Sequence, residues 1–275
     1  MKLDGTIFTI ERRSISGCID MAVVFFREHF KPLMTLTLLF AVPCCVFDYW
    51  IASVTDAGMV LSLLLFLAVT PFFSSVLVAG SGRRVFGERL RVRQALRIVV
   101  SRLFFASMVM LICRGVTVFC GFLLLFPAYL VAARYGFLAE ILFLENVPAR
   151  QYERRLSDFS SAYGNLLVRM IMISVFYLTV VISLYALVDI ASGILFGMPV
   201  LFGRVSSGPY AFDDFLDLLF YDPRVVVAWN ACLWMAFPIA RLAWFFCYLD
   251  SRTRQECWDI ELDFRVEAQR LESAL

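Results

Sequence analysis

Charge is scarce in this sequence. Asp, Glu, Lys and Arg make up 17% of its 275 residues, against about 25% in a typical soluble domain. Lysine is nearly missing, with only Lys2 and Lys31, and His29 is the one histidine. No CxxC pair occurs, so a zinc site using histidine would rest on a single imidazole. The phosphate cradles GxGxxG and GxxxxGK[ST] are absent, as are the metalloprotease HExxH and the nucleophile elbow GxSxG. With one histidine, acid–base catalysis would fall on carboxylates or thiols, and no paired-carboxylate spacing stands out in the apolar stretches. A net charge of +2 without a concentrated basic surface argues against a nucleic-acid partner. These absences point to a chain that is not an enzyme and carries no cofactor or metal.

What fills the space is apolar. Hydrophobic residues reach 61%, Phe alone contributes 28 and Trp 5, and mean hydropathy is +0.80. A soluble fold needs a polar exterior, and little material for one exists. The eight cysteines, Cys18, Cys44, Cys45, Cys113, Cys120, Cys232, Cys247 and Cys257, lie mostly in apolar runs and read as small buried hydrophobes. The first 32 residues carry charge of both signs and no compact apolar core of a cleaved signal peptide. The expected fold is therefore an all-α, polytopic membrane helical bundle of about six transmembrane helices, forming one membrane domain over 1–275. A cytoplasmic amphipathic segment (1–32) precedes the six-span bundle (33–249), and a cytoplasmic tail helix (250–275) follows it.

The spans read as 33–53, 59–79 with Pro71 as a kink, 103–118, a fourth from about Val116 with Pro127 in its middle, 166–187 with Asp189 just beyond, and 225–249. Most are near the roughly 20 apolar residues a bilayer crossing needs, but the third is shorter and the apolar stretch of the fourth continues past Arg134 to Val147, too long for one untilted crossing. Asp48, Tyr49 and Trp50 mark the far interface of the first. Arg114 and Gly115 are taken as the turn between the third and fourth, the alternative being one continuous apolar block with fewer crossings. After Arg134, which can snorkel, residues 136–145 are expected to bend along the surface. The external connection, 191–225, holds Phe212, Phe215, Leu216 and Leu219 at helical spacing and is expected to be partly ordered.

Charge placement orients the chain. The N-terminus, 80–102, 145–169 and the tail hold 20 basic residues, whereas the opposite loops hold Arg114, Arg204 and Arg224. Those loops carry Asp48, Asp56, Asp189, Asp213, Asp214, Asp217 and Asp222. The positive-inside rule then puts both termini in the cytoplasm.

Amphipathic segments precede the odd-numbered spans. The first presents Ile15, Ile19, Ala22, Val23, Phe26 and Phe30 on one stripe. The second has Val92, Leu96, Val99 and Leu103, and the third Tyr152, Leu156, Phe159, Tyr163, Leu166 and Leu167. The chain thus reads as a threefold repeat of surface helix plus membrane hairpin. In the tail, Ile260 and Phe264 share a face with Leu271 nearby, as in a helix that packs under the bundle or docks a partner.

Glu140, Arg134 and Arg241 are the notable ionisable residues near membrane depth. Buried charges there are costly and often functional, and a structural ion pair between Glu140 and Arg241 is expected. Gly80, Gly82 and Gly87 beside Arg83 and Arg84 form a loose cluster that fits a flexible turn better than a phosphate cradle. Arg83, Arg84, Arg89, Arg91 and Arg93, with Trp258, Asp259 and Glu261 of the tail, are candidates for contact with cytoplasmic partners or anionic headgroups.

Three blocks carry a resemblance: ERRSISGCIDMAVVFFREHFKPL at the start, ENVPARQYERRLSDFSSAYGNL in the middle and YLDSRTRQECWDIEL after the last span. They resemble a bacterial multi-pass family related to the membrane domain attached to some glycerophosphodiester phosphodiesterases, without the catalytic domain. The resemblance implies the bacterial inner membrane. Some family members resemble subunits encoded beside cytoplasmic ATPases. It thus implies a non-enzymatic membrane subunit that anchors or scaffolds a larger complex. Its partners would be membrane lipids and other protein subunits, met through the cytoplasmic segments or bundle faces. The competing expectation is a transporter or channel for a small solute or lipid.

Overall fold

The computed structural model describes residues 13–85, 109, 111–121, 125–145, 151, 154–157, 163–205 and 211–256. Among these, all regular structure is helical and no strand occurs. In chain order the helices are α1 (Ile15–Glu28), α2 (Phe30–Val54), α3 (Gly58–Val85), α4 (Leu111–Gly121) and α5 (Leu125–Tyr135). A short α6 (Leu138–Glu140) runs into a π-helical turn over Ile141–Glu145, and α7 (Tyr163–Phe196), α8 (Ala211–Tyr221) and α9 (Pro223–Glu256) complete the set. Five segments are long and apolar enough to cross a membrane: Phe30–Val54, Gly58–Gly82, Pro127–Glu145, Gly164–Phe196 and Pro223–Arg254. The chain is therefore an all-α, polytopic membrane bundle. The third expected span falls on 103–118, of which the described part begins α4.

The helices pack as two compact units. The first takes described residues up to Pro32, between Ser74 and Ile173, and from Ile239 onward; the second takes Leu33–Phe73 and Ser174–Pro238.

Local chemistry explains the helix ends. Ser14 caps α1, its hydroxyl accepting from Gly17 N at 3.2 Å, a contact worth about 1 kcal/mol. His29 closes α1, and its backbone N–H reaches Phe25 O at 3.0 Å. The hairpin from α2 to α3 turns over Thr55–Ala57, as the sequence indicates. It is held tight at Gly58, where an added Cβ would lie 2.7 Å from Ala52 Cα. Asp222 caps α9 through Arg224 N at 2.8 Å, and Pro223 opens that helix where its missing N–H costs nothing. Inside α3, Pro71 has no N–H for the Leu67 carbonyl. The Thr70 hydroxyl donates to that carbonyl instead, at 3.3 Å, which is how membrane helices tolerate proline.

Several sequence expectations are corrected. Arg114 and Gly115 form no turn; α4 continues through both, since a single Arg is a good helix former. Pro127 lies two residues after the first described residue of α5, and residues 122–124 before it lie outside the described residues. Within residues 136–145, expected to bend along the surface, Phe137, Leu138, Ala139, Glu140, Ile141 and Leu142 are all buried in the protein. Helix α7 runs past Asp189 to Phe196 and stops at Gly197, whose φ of 65° suits a left-handed cap. Of the stripe expected on α1, only Ala22 is buried; Cys18, Phe25 and His29 complete the packed side, while Val23 and Phe30 are exposed. Gly80 and Gly82 are helical, not a turn. A Cβ at Gly82 would lie 2.1 Å from Leu144 Cδ2, so this glycine admits close packing. The second amphipathic segment and residues 257–275 of the tail lie outside the described residues, while 250–256 continue α9. Of the third segment's stripe, Tyr152 and Phe159 lie outside, and Leu156 and Leu166 are buried.

Candidate functional site

The first unit contains three linked polar contacts built on α9. Arg241, Trp244 and Tyr248 stand on one face of that helix by their spacing. Each grips the chain between Gly136 and Glu145. Arg241 Nη1 donates to Glu140 Oε1 at 2.6 Å, Trp244 Nε1 to Gly136 O at 2.8 Å, and the Tyr248 hydroxyl to Glu145 Oε1 at 2.5 Å. Arg155 completes the Glu145 carboxylate from its other side at 2.6 Å. The glycine at 136 is required, because a Cβ there would lie 2.5 Å from Trp244 Cζ2.

Asp250, one residue pair further along α9, is a node. Its Oδ2 accepts from Arg169 Nη2 of α7 at 2.5 Å and from Arg254 Nε at 2.9 Å, and its Oδ1 from the Arg13 N–H at 2.7 Å. Arg254 also donates to the Arg13 carbonyl at 2.8 Å. Asp250 and Arg169 are both buried. One carboxylate thus fastens the segment before α1 and the start of α7 to the end of α9.

His29, the lone histidine, is structural. Nε2 accepts from Arg84 Nε at 2.6 Å while Nδ1 faces Phe25 O at 3.1 Å. That pattern fits a neutral ring protonated on Nδ1, with one nitrogen accepting and one donating. It ties the α1–α2 joint to the end of α3.

The second unit holds a different kind of polar group. Asp48 of α2 is fully buried, as are Ser62 of α3 and Asn230 of α9. Ser62 Oγ donates to Asp48 Oδ1 at 2.7 Å, and Asn230 Nδ2 donates to Asp48 Oδ2. No cationic side chain among the described residues pairs with this carboxylate. Elsewhere in the unit, Trp234 is enclosed by Phe40, Phe66 and Phe73. Asp189 accepts from the Leu201 and Phe202 amides at 2.6 and 3.2 Å, folding the following loop back onto α7. Asp48 and Asp189 are thus buried groups rather than loop charges facing water.

Of the residues singled out in the sequence, the structure brings Glu140 and Arg241 together. Arg134 is exposed in the last turn of α5 and takes no part in that pair. Arg84 is engaged by His29. The backbone of Arg83 is helical, and its side chain lies outside what is described. Arg89, Arg91, Arg93, Trp258, Asp259 and Glu261 also lie outside the described residues.

Sequence reasoning missed Asp48, Ser62 and Asn230 as a group. A signal existed: Thr37, Ala41, Cys44, Asp48 and Ala52, all buried, form a small and polar stripe on α2, the pattern of a helix-packing face in membranes. Among the described residues no group of three or more His, Cys, Asp or Glu converges as a metal site. Compared with family models, curated proteins and solved structures, the chain matches none.

Proposed function

We propose that this chain is a non-catalytic membrane subunit that anchors a larger complex, with a partner protein docked on the far end of α7. The supporting observation is a mismatch of length. The apolar part of α7, Gly164–Phe196, has 33 residues, about 50 Å at 1.5 Å per residue. Confining it to a hydrocarbon layer about 30 Å thick needs a tilt above about 50°, beyond the roughly 0–40° seen for membrane helices. Counting from buried Arg169 at one end, Asp189 lies about 30 Å along the helix. Beyond Asp189 the large apolar side chains Ile190, Ile194, Leu195 and Phe196 are exposed, at 62–78%. Lipid does not reach them in an ordinary crossing, and water contact is costly at about 25 cal/mol per Å².

The rest of α7 is also open. Of its most apolar window 17% is buried, against 61% for α9. Exposed Val168, Ile171, Val175, Leu178 and Ile182 follow a three–four spacing, and Thr179 and Ser183 lie beside them with hydroxyls bonded to their own helix. Small residues and such a seam favour helix association in membranes. The cytoplasmic orientation of both termini, an inner-membrane location and contacts through 80–102 and the tail belong to this proposal. They rest on the distribution of Arg and Lys and on the resemblance described above.

Extraction of the full chain in lipid nanodiscs taken directly from its own membrane tests the reading. A co-purifying protein in fixed ratio is expected. A lone monomer would remove the scaffold and favour a transporter.

A further inference from the structure

The acid at Asp48 differs from the other buried acids with side-chain partners. Glu140, Glu145 and Asp250 each face an Arg. Asp48 has only the neutral donors Ser62 and Asn230, and all three residues are at most 1% exposed. A carboxylate in an apolar interior is expensive unless a positive charge accompanies it. The nearest titratable neighbours, Cys44 and Cys45 one turn back on α2, are thiols and carry no positive charge. Ser62 on α3 and Asn230 on α9 are the groups that face it from the other two helices.

A second observation comes from the amide of Asn230. Its Nδ2 points at Asp48, while its Oδ1 is buried with no hydrogen-bond partner among the described residues. Each oxygen of a buried amide calls for a donor or a cation. Ser62 Oγ and Asn230 Nδ2 bracket the Asp48 carboxyl, and the unpartnered Oδ1 belongs to the same amide, so oxygens of three residues gather around one buried acid.

We propose that Asp48, Ser62 and Asn230 form a binding site for one monovalent cation, a sodium ion or a proton. Either supplies the missing charge. A sodium ion takes oxygens from all three residues as ligands. A proton on the Asp48 carboxyl gives Asn230 Oδ1 its donor, while Asn230 Nδ2 keeps donating to the other carboxyl oxygen. The site lies near one end of the three helices: Asp48 is six residues, about 9 Å, from the end of α2, and Ser62 and Asn230 are four and seven residues from the starts of α3 and α9.

The test uses the full chain in nanodiscs and a hydrophobic carbodiimide, which adds across a carboxyl O–H and leaves an acylurea that mass spectrometry locates. Labelling is measured in acidic and alkaline buffer, with sodium chloride or choline chloride. If sodium is the ligand, Asp48 is labelled in choline and labelling falls several-fold when sodium replaces it. If the proton is the ligand, labelling falls with rising pH and ignores sodium. In both cases Asn230→Leu, which keeps the carboxyl, weakens the dependence. Infrared spectra provide a second readout of the same wild-type protein, since a protonated carboxyl band disappears only when the proton leaves. Labelling that responds to neither sodium nor pH, with a carboxylate band throughout, overturns the proposal.

Discussion

Arg241 donates to Glu140 at 2.6 Å across helices otherwise lined with apolar side chains, and neither residue is more than 9% exposed. Removing one member of such a pair leaves an unbalanced buried charge, which costs about 3–5 kcal/mol. Replacing Arg241 with Met is therefore expected to lower stability by about 3 kcal/mol. Adding Glu140→Gln should restore part of it. A double-mutant cycle on melting in detergent measures the coupling, and a coupling of zero would show the pair to be idle.

Asp250 is expected to matter more than any exposed charge near it. Asp250→Asn leaves buried Arg169 with a neutral partner and the carbonyl of Cys247, a loss of about 3 kcal/mol. Its other partner, Arg254, is 45% exposed, and such pairs contribute roughly 0–1 kcal/mol. Arg254→Ala should thus be mild. Hydrogen exchange at 13–18 provides the local readout, because the Arg13 amide is released only when Asp250 fails to hold it.

At Gly136 the prediction is steric. Ala at this position places a methyl 2.5 Å from the Trp244 ring. Overpacking of this kind costs about 1–3 kcal/mol. The indole should lose its bond to the Gly136 carbonyl, and Trp244→Leu in the same chain should recover stability. Equal melting of wild type and Gly136→Ala would contradict the close contact.

Termini on one side of the membrane are a further expectation, drawn from the placement of Arg and Lys. An introduced cysteine at Ser273 should react with an impermeant reagent only after the cells are opened. Reaction in intact cells would reverse the orientation.

The fold was largely legible because apolar length is a strong signal. Runs such as 33–53 and 59–79 are close to their helices, and the turn at Thr55–Ala57 follows from Thr, Asp and Gly between them. Boundaries were less legible where polarity and helix structure part company. Arg114 looks like an interruption yet remains helical. Asp189 looks like the end of a span, but its carboxylate is satisfied by the Leu201 and Phe202 amides and the helix continues. The pairing of Glu140 with Arg241 could be proposed from depth alone, since opposite charges in spans seek one another. The Asp48 group could not, because Ser62 and Asn230 are ordinary polar residues until three helices converge. The three blocks that carry the family resemblance meet through Arg13, Glu145, Arg155, Tyr248 and Asp250 in the first unit, which no spacing along the chain discloses.

The central claim is that a protein covers the far end of α7. A photo-cross-linking amino acid at Leu195, activated in intact cells, tests it most directly. One discrete protein adduct is predicted at Leu195, lost when Ile194 and Phe196 are replaced by Ser. Adducts to lipid alone, or none, would contradict the claim.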